Sequence, residues 1–292
     1  KALIWSALSS AKYMNENSGK TWRVIDLINW GADYFNSKSI TNARREVEWL
    51  LCHVLNCERI DLYLEFEQPL FGKELSTFRA MVLRRVKGEP FQHIIGKAPF
   101  YGRDFIISPD VLIPRPETEI IIDILKEDIE KTSVLEIGTG SGCLAITIEL
   151  EGICHQQIAT DISKQALTVA KSNAEKFKVN GISFRCHDFL NMPITSRFDV
   201  IISNPPYISD HERHTLERTV IDYDPEIALT DYKDGFTFYR RFADQGHDLL
   251  NQDGYMLLEF GGDNQADNIE AIFTARNYQV KFYPDLQNNL RV

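Results

Sequence analysis

Apolar positions recur along this chain with two different periods, and the change of period divides it. From residue 21 to about 90 they fall at helical spacing. Val24, Ile25, Leu27 and Ile28 form one such set, with Thr21 as its candidate N-cap. Val47, Leu50, Leu51, Val54 and Leu55 line one face of a second helix, with Arg44 and Glu48 four residues apart on the other. A third carries Leu75, Phe78, Met81, Val82 and Val86 and stops at Gly88 before Pro90. Residues 91–116 change texture. Phe91, Ile94, Ile95, Phe100, Tyr101, Phe105, Ile106 and Ile107 alternate with the turn formers Gly96, Gly102 and Pro109, the pattern of a β-hairpin linking two domains.

From residue 117 to 292 strands alternate with helices. Glu117 opens a helix carrying Ile120, Ile121, Ile124 and Leu125. Short buried strands follow at Ser133–Ile137, Ile158–Thr160, Ile182–Phe184, Phe198–Ile202 and Tyr255–Glu259, separated by helices that include 142–150 and 164–178. Such alternation predicts an α/β domain built on a doubly wound, mostly parallel sheet, behind a small N-terminal helical domain over 21–90. Residues 1–20, with Lys1, Lys12 and Lys20 against Glu16, read as an N-terminal tail. At the other end, a final strand is expected to be incomplete at Val292.

Composition narrows the function classes. The 292 residues are 43% hydrophobic and 25% charged, as in a globular protein. Lys and Arg number 32 against 42 Asp and Glu, a net charge of −10. Polyanions are repelled by such a chain, so no stable nucleic-acid partner is expected. The five cysteines form no CxxC pair, which leaves no metal-ligating set and fits a reducing compartment. The cytoplasm is expected, or a mitochondrion in a eukaryote. No apolar run reaches the ~20 residues of a membrane span.

Ligands of a doubly wound sheet bind outside the carboxyl ends of its strands. Four features fall at such ends. The first is Glu136 followed by Gly138-Thr139-Gly140-Ser141-Gly142. Its glycines let backbone amides approach a ligand, while an acid before the loop suits a cation better than a pyrophosphate. Glu136 is a partner for the amino group of a methionine moiety. The second is Asp161, roughly twenty residues on, where a carboxylate can accept two ribose hydroxyls; Ser163 is free to cap the next helix. Third, Asp188 can accept from an adenine amino group with Phe189 against the ring. Fourth is Asn204-Pro205-Pro206-Tyr207. Two prolines cannot prolong a central strand. The Asn204 side-chain oxygen and the Pro205 carbonyl can accept both N–H bonds of a planar amide or amine, with Tyr207 as a flat face to stack on it. Together these residues suit S-adenosylmethionine as cofactor and a planar nitrogen as methyl acceptor, Asn204 touching both.

With these motifs the chain resembles the protein-(glutamine-N5) methyltransferases that modify peptide-chain release factors. The likeness runs from about residue 21 to the C-terminus. Pro90-Phe91-Gln92-His93-Ile94-Ile95-Gly96, Pro225-Glu226-Ile227-Ala228-Leu229, Asp234-Gly235 and, most specifically, Ile113-Pro114-Arg115-Pro116-Glu117-Thr118-Glu119 carry it. The resemblance implies a Rossmann-like class I methyltransferase fold. It also implies a substrate, the glutamine of the Gly-Gly-Gln loop in class I release factors, docked by the helical domain of a monomeric enzyme. The family usually has a Gly-Gly pair where this chain has Asp231-Tyr232-Lys233. Three other readings compete. Asn-Pro-Pro-Tyr also occurs in adenine-N6 and guanine-N2 nucleic-acid methyltransferases, which call for a basic face. Ribosomal-protein glutamine methyltransferases tend to lack Pro-Glu-Thr after Pro-Arg. A noncatalytic dinucleotide-binding protein would bind NAD.

Overall fold

A computed structural model describes residues 21–127 and 133–292; the tail expected over residues 1–20 lies outside the described residues. The chain divides into two compact units, residues 1–95 and 96–292.

The first unit opens with strand β1 (Trp22–Arg23), which leads into helix α1 (Val24–Asn36). Thr21 does not cap this helix. Instead the Asp26 carboxylate accepts the Arg23 backbone N–H at 3.1 Å, half of a capping box. Helices α2 (Ala43–Leu55) and α3 (Arg59–Leu64) follow, then strand β2 (Pro69–Leu70), antiparallel to β1, and helix α4 (Gly72–Val86). The apolar stripes of α1, α2 and α4 meet in one core, where Leu27, Ile28, Val47, Leu50, Phe78 and Val82 have no exposed surface. Glu48, expected on the polar face of α2, is also fully buried. It accepts hydrogen bonds from Arg44 Nε (3.0 Å), Arg59 Nε (2.6 Å) and the Tyr63 hydroxyl (2.6 Å). Phe91–Ile95 forms a short helix, α5, where an arm of the hairpin was expected. Five residues between Pro90 and Gly96 hold too little periodicity to separate strand from helix, and the Ile94 N–H closes the turn on the Pro90 carbonyl at 3.1 Å.

The hairpin of the second unit is therefore shorter, β3 (Lys97–Phe100) and β4 (Arg103–Ile106), paired antiparallel. A 3-10 turn at Pro116–Glu119 leads into helix α6 (Ile120–Glu127). The alternating elements are β5 (Ser133–Ile137), α7 (Cys143–Leu150), β6 (Gln156–Asp161), α8 (Lys164–Phe177), β7 (Ile182–Cys186) and β8 (Phe198–Ser203). After three single-turn helices between residues 210 and 229 come α9 (Thr237–Leu249), β9 (Leu250–Leu258) and α10 (Asp263–Thr274).

The five strands stand in the order β7-β6-β5-β8-β9, every neighbouring pair parallel. Successive residues of β5 and β8 serve opposite faces. Val134, Val200 and Ile202 pack with Ile121 and Leu125 of α6 and Ile146 of α7, whereas Leu135, Ile137 and Ile201 pack with Tyr239 and Phe242 of α9 and Ile269 of α10. The sheet is thus covered on both sides, as its continuous apolar strands require. From β5 the chain winds outward through β6 and β7, then returns to β8 on the far side of β5. Strand order reverses between β5 and β8, and that switch point positions the site.

Candidate active site

The carboxyl ends of β5, β6, β7 and β8 surround a cavity of about 290 Å³. Glu136 is 2% exposed and faces it; the Thr139 hydroxyl donates to its Oε2 at 2.7 Å. Burial pushes the Glu136 carboxyl up to about 7, and the nearby charge of Asp161 adds to the rise. A cationic ligand beside it would favour the ionised form and so oppose both effects. Asp161 ties the site together: Oδ2 accepts the Gly140 N–H at 2.9 Å and Oδ1 the Ser163 N–H at 2.8 Å. Ser163 caps α8, its hydroxyl accepting the Ala166 N–H at 3.1 Å. Asp161 is therefore free of that duty and lines the cavity.

Gly138, Thr139, Gly140 and Ser141 line the cavity as well; Gly142 does not. An added Cβ at Gly142 would lie 3.1 Å from Ala170 Cβ and from Ile146 Cδ1, and its φ is +80°. That glycine serves the close approach of α7 to α8. Asp188 and Phe189 both line the cavity. The Asp188 carboxylate is held by Asn191 Nδ2 (2.9 Å) and the Leu190 N–H (3.1 Å), and these contacts, the Asn191 side chain first, lower its pKa. Phe189 is 4% exposed and packs against Phe242 with ring centroids 4.6 Å apart and planes tilted by 34°, so the same ring is part core and part site wall.

On the β8 side Asn204, Pro205 and Pro206 face the cavity. Asn204 Nδ2 donates to Thr118 Oγ1 at 3.1 Å. Tyr207 stands apart from the lining. Its carbonyl accepts from Gln265 Nε2 at 2.8 Å, and its ring lies where a Cβ on Gly261 would come within 3.2 Å. It anchors the turn from behind. Burial raises its phenol, which therefore stays protonated.

The donor set fits S-adenosylmethionine. A buried carboxylate stands where a cationic amino-acid end would lie, a second carboxylate suits ribose, and an acid with an aromatic wall suits adenine. A dinucleotide's pyrophosphate would meet two carboxylates at the mouth of the glycine loop, which is unfavourable. Among the described residues no three His, Cys, Asp or Glu side chains gather in a metal-holding group, and no helix is long and apolar enough to cross a membrane.

Comparison with known proteins gives the family. Residues 26–96 match the family described as the PrmC N-terminal domain, and residues 116–223 match the methyltransferase small domain. The release factor glutamine methyltransferase of Geobacter sulfurreducens is 36% identical over 258 residues, spanning 88% of this chain and 90% of that protein. Its counterpart in Bacillus subtilis is 38% identical over 281 residues, 92% of this chain and 96% of that one. The chain belongs to the release factor glutamine methyltransferases. Among solved structures, a methyltransferase from Pyrococcus furiosus shares the fold, with a TM-score of 0.50 at 20% identity over 74% of this chain and 95% of that one. As in the family, S-adenosylmethionine is the cofactor.

The departure from the family pattern at Asp231-Tyr232-Lys233 is absorbed locally. Tyr232 adopts φ +58°, a conformation glycine takes more readily. Asp231 holds the turn, Oδ1 accepting the N–H groups of Lys233 (2.9 Å) and Gly235 (3.0 Å) and Oδ2 that of Thr237 (3.0 Å). Both Asp231 and Tyr232 line the cavity.

Other residues that line the cavity escaped the sequence reading. Arg115 lines the cavity and pairs at 2.7 Å with Asp224, whose side chain is 1% exposed, so the Pro114–Pro116 wall is pinned to the segment before Pro225. Their sequence separation hid this; the signal was an arginine fixed between two prolines. His187 also lines the cavity, and its buried Nε2 makes no hydrogen bond to the described residues. Cys143 lines it too. Burial pushes its thiol up to about 12, so it offers no competing thiolate nucleophile.

Proposed function

We propose that this chain methylates the side-chain amide nitrogen of the glutamine in the Gly-Gly-Gln loop of class I release factors. The observation that carries the reading is the Asn204 turn. It faces the cavity that holds Glu136, the glycine loop and Asp161, and its Nδ2 is already engaged by Thr118. The Asn204 Oδ1 and the Pro205 carbonyl remain as acceptors for a substrate's two N–H bonds.

Bound S-adenosylmethionine supplies an electrophilic methyl on a sulfonium centre. Glu136 would hold its ammonium, Asp161 its ribose hydroxyls, and Asp188 with Phe189 its adenine. The glycine loop from Gly138 to Ser141 lets the backbone close on it. An amide nitrogen is a poor nucleophile because its lone pair is delocalised. Asn204 and Pro205 hold both N–H bonds, fix the nitrogen in line and stabilise the positive charge that grows on it. A proton is lost after transfer, so no strong base is required. Pro206 stiffens the turn and Tyr207 anchors it. The helical unit, which carries no such chemistry, is assigned to docking the release factor.

Incubation with labelled S-adenosylmethionine and a purified class I release factor tests the reading. Label should appear on the factor and be absent from its loop Gln→Ala variant. Label persisting on that variant, or preferred transfer to a ribosomal protein or to DNA, contradicts it.

A further inference from the structure

Behind the Asn204 turn runs a buried chain of polar groups. Glu259, 2% exposed, follows the end of β9, and its Oε2 accepts the Thr118 hydroxyl at 2.5 Å. Thr118, 4% exposed, accepts in turn from Asn204 Nδ2. The backbone of Glu259 is fixed as well. Its N–H donates to the Ser203 carbonyl at 2.9 Å, and its carbonyl accepts the Tyr239 hydroxyl at 2.7 Å.

Donor order along this chain follows from the groups themselves. An ionised carboxylate can only accept, so the single Thr118 proton points at Glu259. The hydroxyl can then only accept on its other side. Asn204 must therefore turn its amino group inward, where it also donates toward Glu259 itself, which leaves Oδ1 for the cavity.

We propose that Glu259 and Thr118 are positioning residues that set the polarity of Asn204, so that the site takes a group bearing N–H bonds and rejects one that only accepts. The inference rests on the function proposed above and says how that site tells glutamine from glutamate. A glutamate in the substrate loop would set its carboxylate against Asn204 Oδ1. A reversed Asn204 would welcome it and lose the grip on an amide N–H.

Ionisation of Glu259 sustains the order. Burial pushes this carboxyl up to about 7; Glu117 raises it further, while hydrogen bonds from Thr118 and Asn204 and the charge of Arg291 hold it down. Tyr207, Tyr239 and Cys143 also face it and remain protonated. On the acid side of about 7 Glu259 carries a proton and can donate to Thr118. The Thr118 proton is then free to point at Asn204 Oδ1, and the donor order is no longer fixed.

The test uses the full chain, saturating S-adenosylmethionine and the release factor. Thr118→Val should lower kcat about 10- to 100-fold, with the calorimetric affinity for S-adenosylmethionine changed less than about twofold. Thr118→Ser, which keeps the hydroxyl, should return kcat to within about threefold of wild type. Calorimetry with the Gln→Glu factor should show weaker binding than the natural factor to the wild-type enzyme, and a smaller gap with Thr118→Val. Wild-type kcat should fall below about pH 7, and Glu259→Gln should lack that limb. Inactivity of the wild-type enzyme on the release factor overturns the proposed function and this inference together. An active wild type with Thr118→Val equal to it, Thr118→Ser as damaged as Thr118→Val, or cofactor affinity lost in step with kcat overturns this inference alone.

Discussion

Each unit of the molecule buries carboxylates, and it treats them in opposite ways. In the helical unit Glu48 has no exposed surface, and burial alone would raise its pKa. Tyr63 and Arg59 hydrogen-bond it, Arg59 and Arg44 add their charge, and its pKa ends below the ordinary value. In the methyltransferase unit Glu136 and Glu259 lie deeper, enclosed by protein, and their partners in the chain are chiefly the hydroxyls of Thr139 and Thr118. Desolvation prevails there, and both rise to about 7. A buried charge that is neutralised locally offsets its own desolvation and leaves its partners dependent on it. One left short of partners is kept for something that arrives later or for a neighbour it must orient.

The largest expected effect lies at the group Glu259 orients. Asn204→Ala should reduce turnover on the order of 100- to 1,000-fold while the affinity for S-adenosylmethionine, read by calorimetry, shifts less than about twofold. Equal loss of cofactor affinity would mean that Asn204 is not the substrate clamp. Next comes the neutralised carboxylate. Glu48→Ala removes the shared partner of Arg44, Arg59 and Tyr63, two half-exposed arginines and a phenol, and should cost about 1–2 kcal/mol in denaturant unfolding of the helical unit, with cofactor affinity unchanged. A loss under about 0.5 kcal/mol would break the comparison from that side.

Glu136→Gln should weaken S-adenosylmethionine binding roughly 10- to 100-fold. Because the cationic ligand favours the ionised carboxylate, wild-type affinity should climb with pH toward about 7 and level off above it; the variant should be flat. The last effect, spread across a wide pH window, is on stability. Glu136 and Glu259 have raised folded-state pKa values, so the folded state holds more protons than the unfolded state between 4.5 and about 7. Their contribution is present at the acid end of that window and lost as pH rises through it, at up to about 1.4 kcal/mol per pH unit for each group. Glu48 has a lowered value, so its contribution is present above 4.5 and lost as pH falls below it. Hydrogen exchange resolved by segment should show opposite slopes in the two units. Parallel slopes would contradict the distinction.

Much of the site was legible because strand ends announce themselves. Asn204 follows the apolar run Val200-Ile201-Ile202 and Ser203, Asp161 the short stretch Ile158-Ala159-Thr160, both within an alternation of strands and helices, and the paired prolines after Asn204 forbid its continuation. The glycine loop likewise marks a turn into a helix. What was hidden depends on tertiary pairing. Thr118 and Glu259 are 141 residues apart, and neither carries a local sign of the other. Glu48 looked like half of an exposed helical pair because Arg59 and Tyr63 reach it from α3. Tyr207 illustrates a further limit. The residue type suggested a stacking face, but its surroundings include Gly261 in the loop after β9 and Gln265 on α10. Phe91–Ile95 was misread as strand because five residues show no period.

The central claim concerns one atom, the side-chain amide nitrogen of a glutamine. The direct measurement is tandem mass spectrometry of the release factor after reaction, with fragmentation of the peptide that spans its Gly-Gly-Gln loop. A single added methyl on the glutamine side chain, absent when Asn204→Ala replaces the wild-type enzyme, is the expected result. A methyl on any other residue of the factor, or transfer that survives Asn204→Ala, would contradict the account.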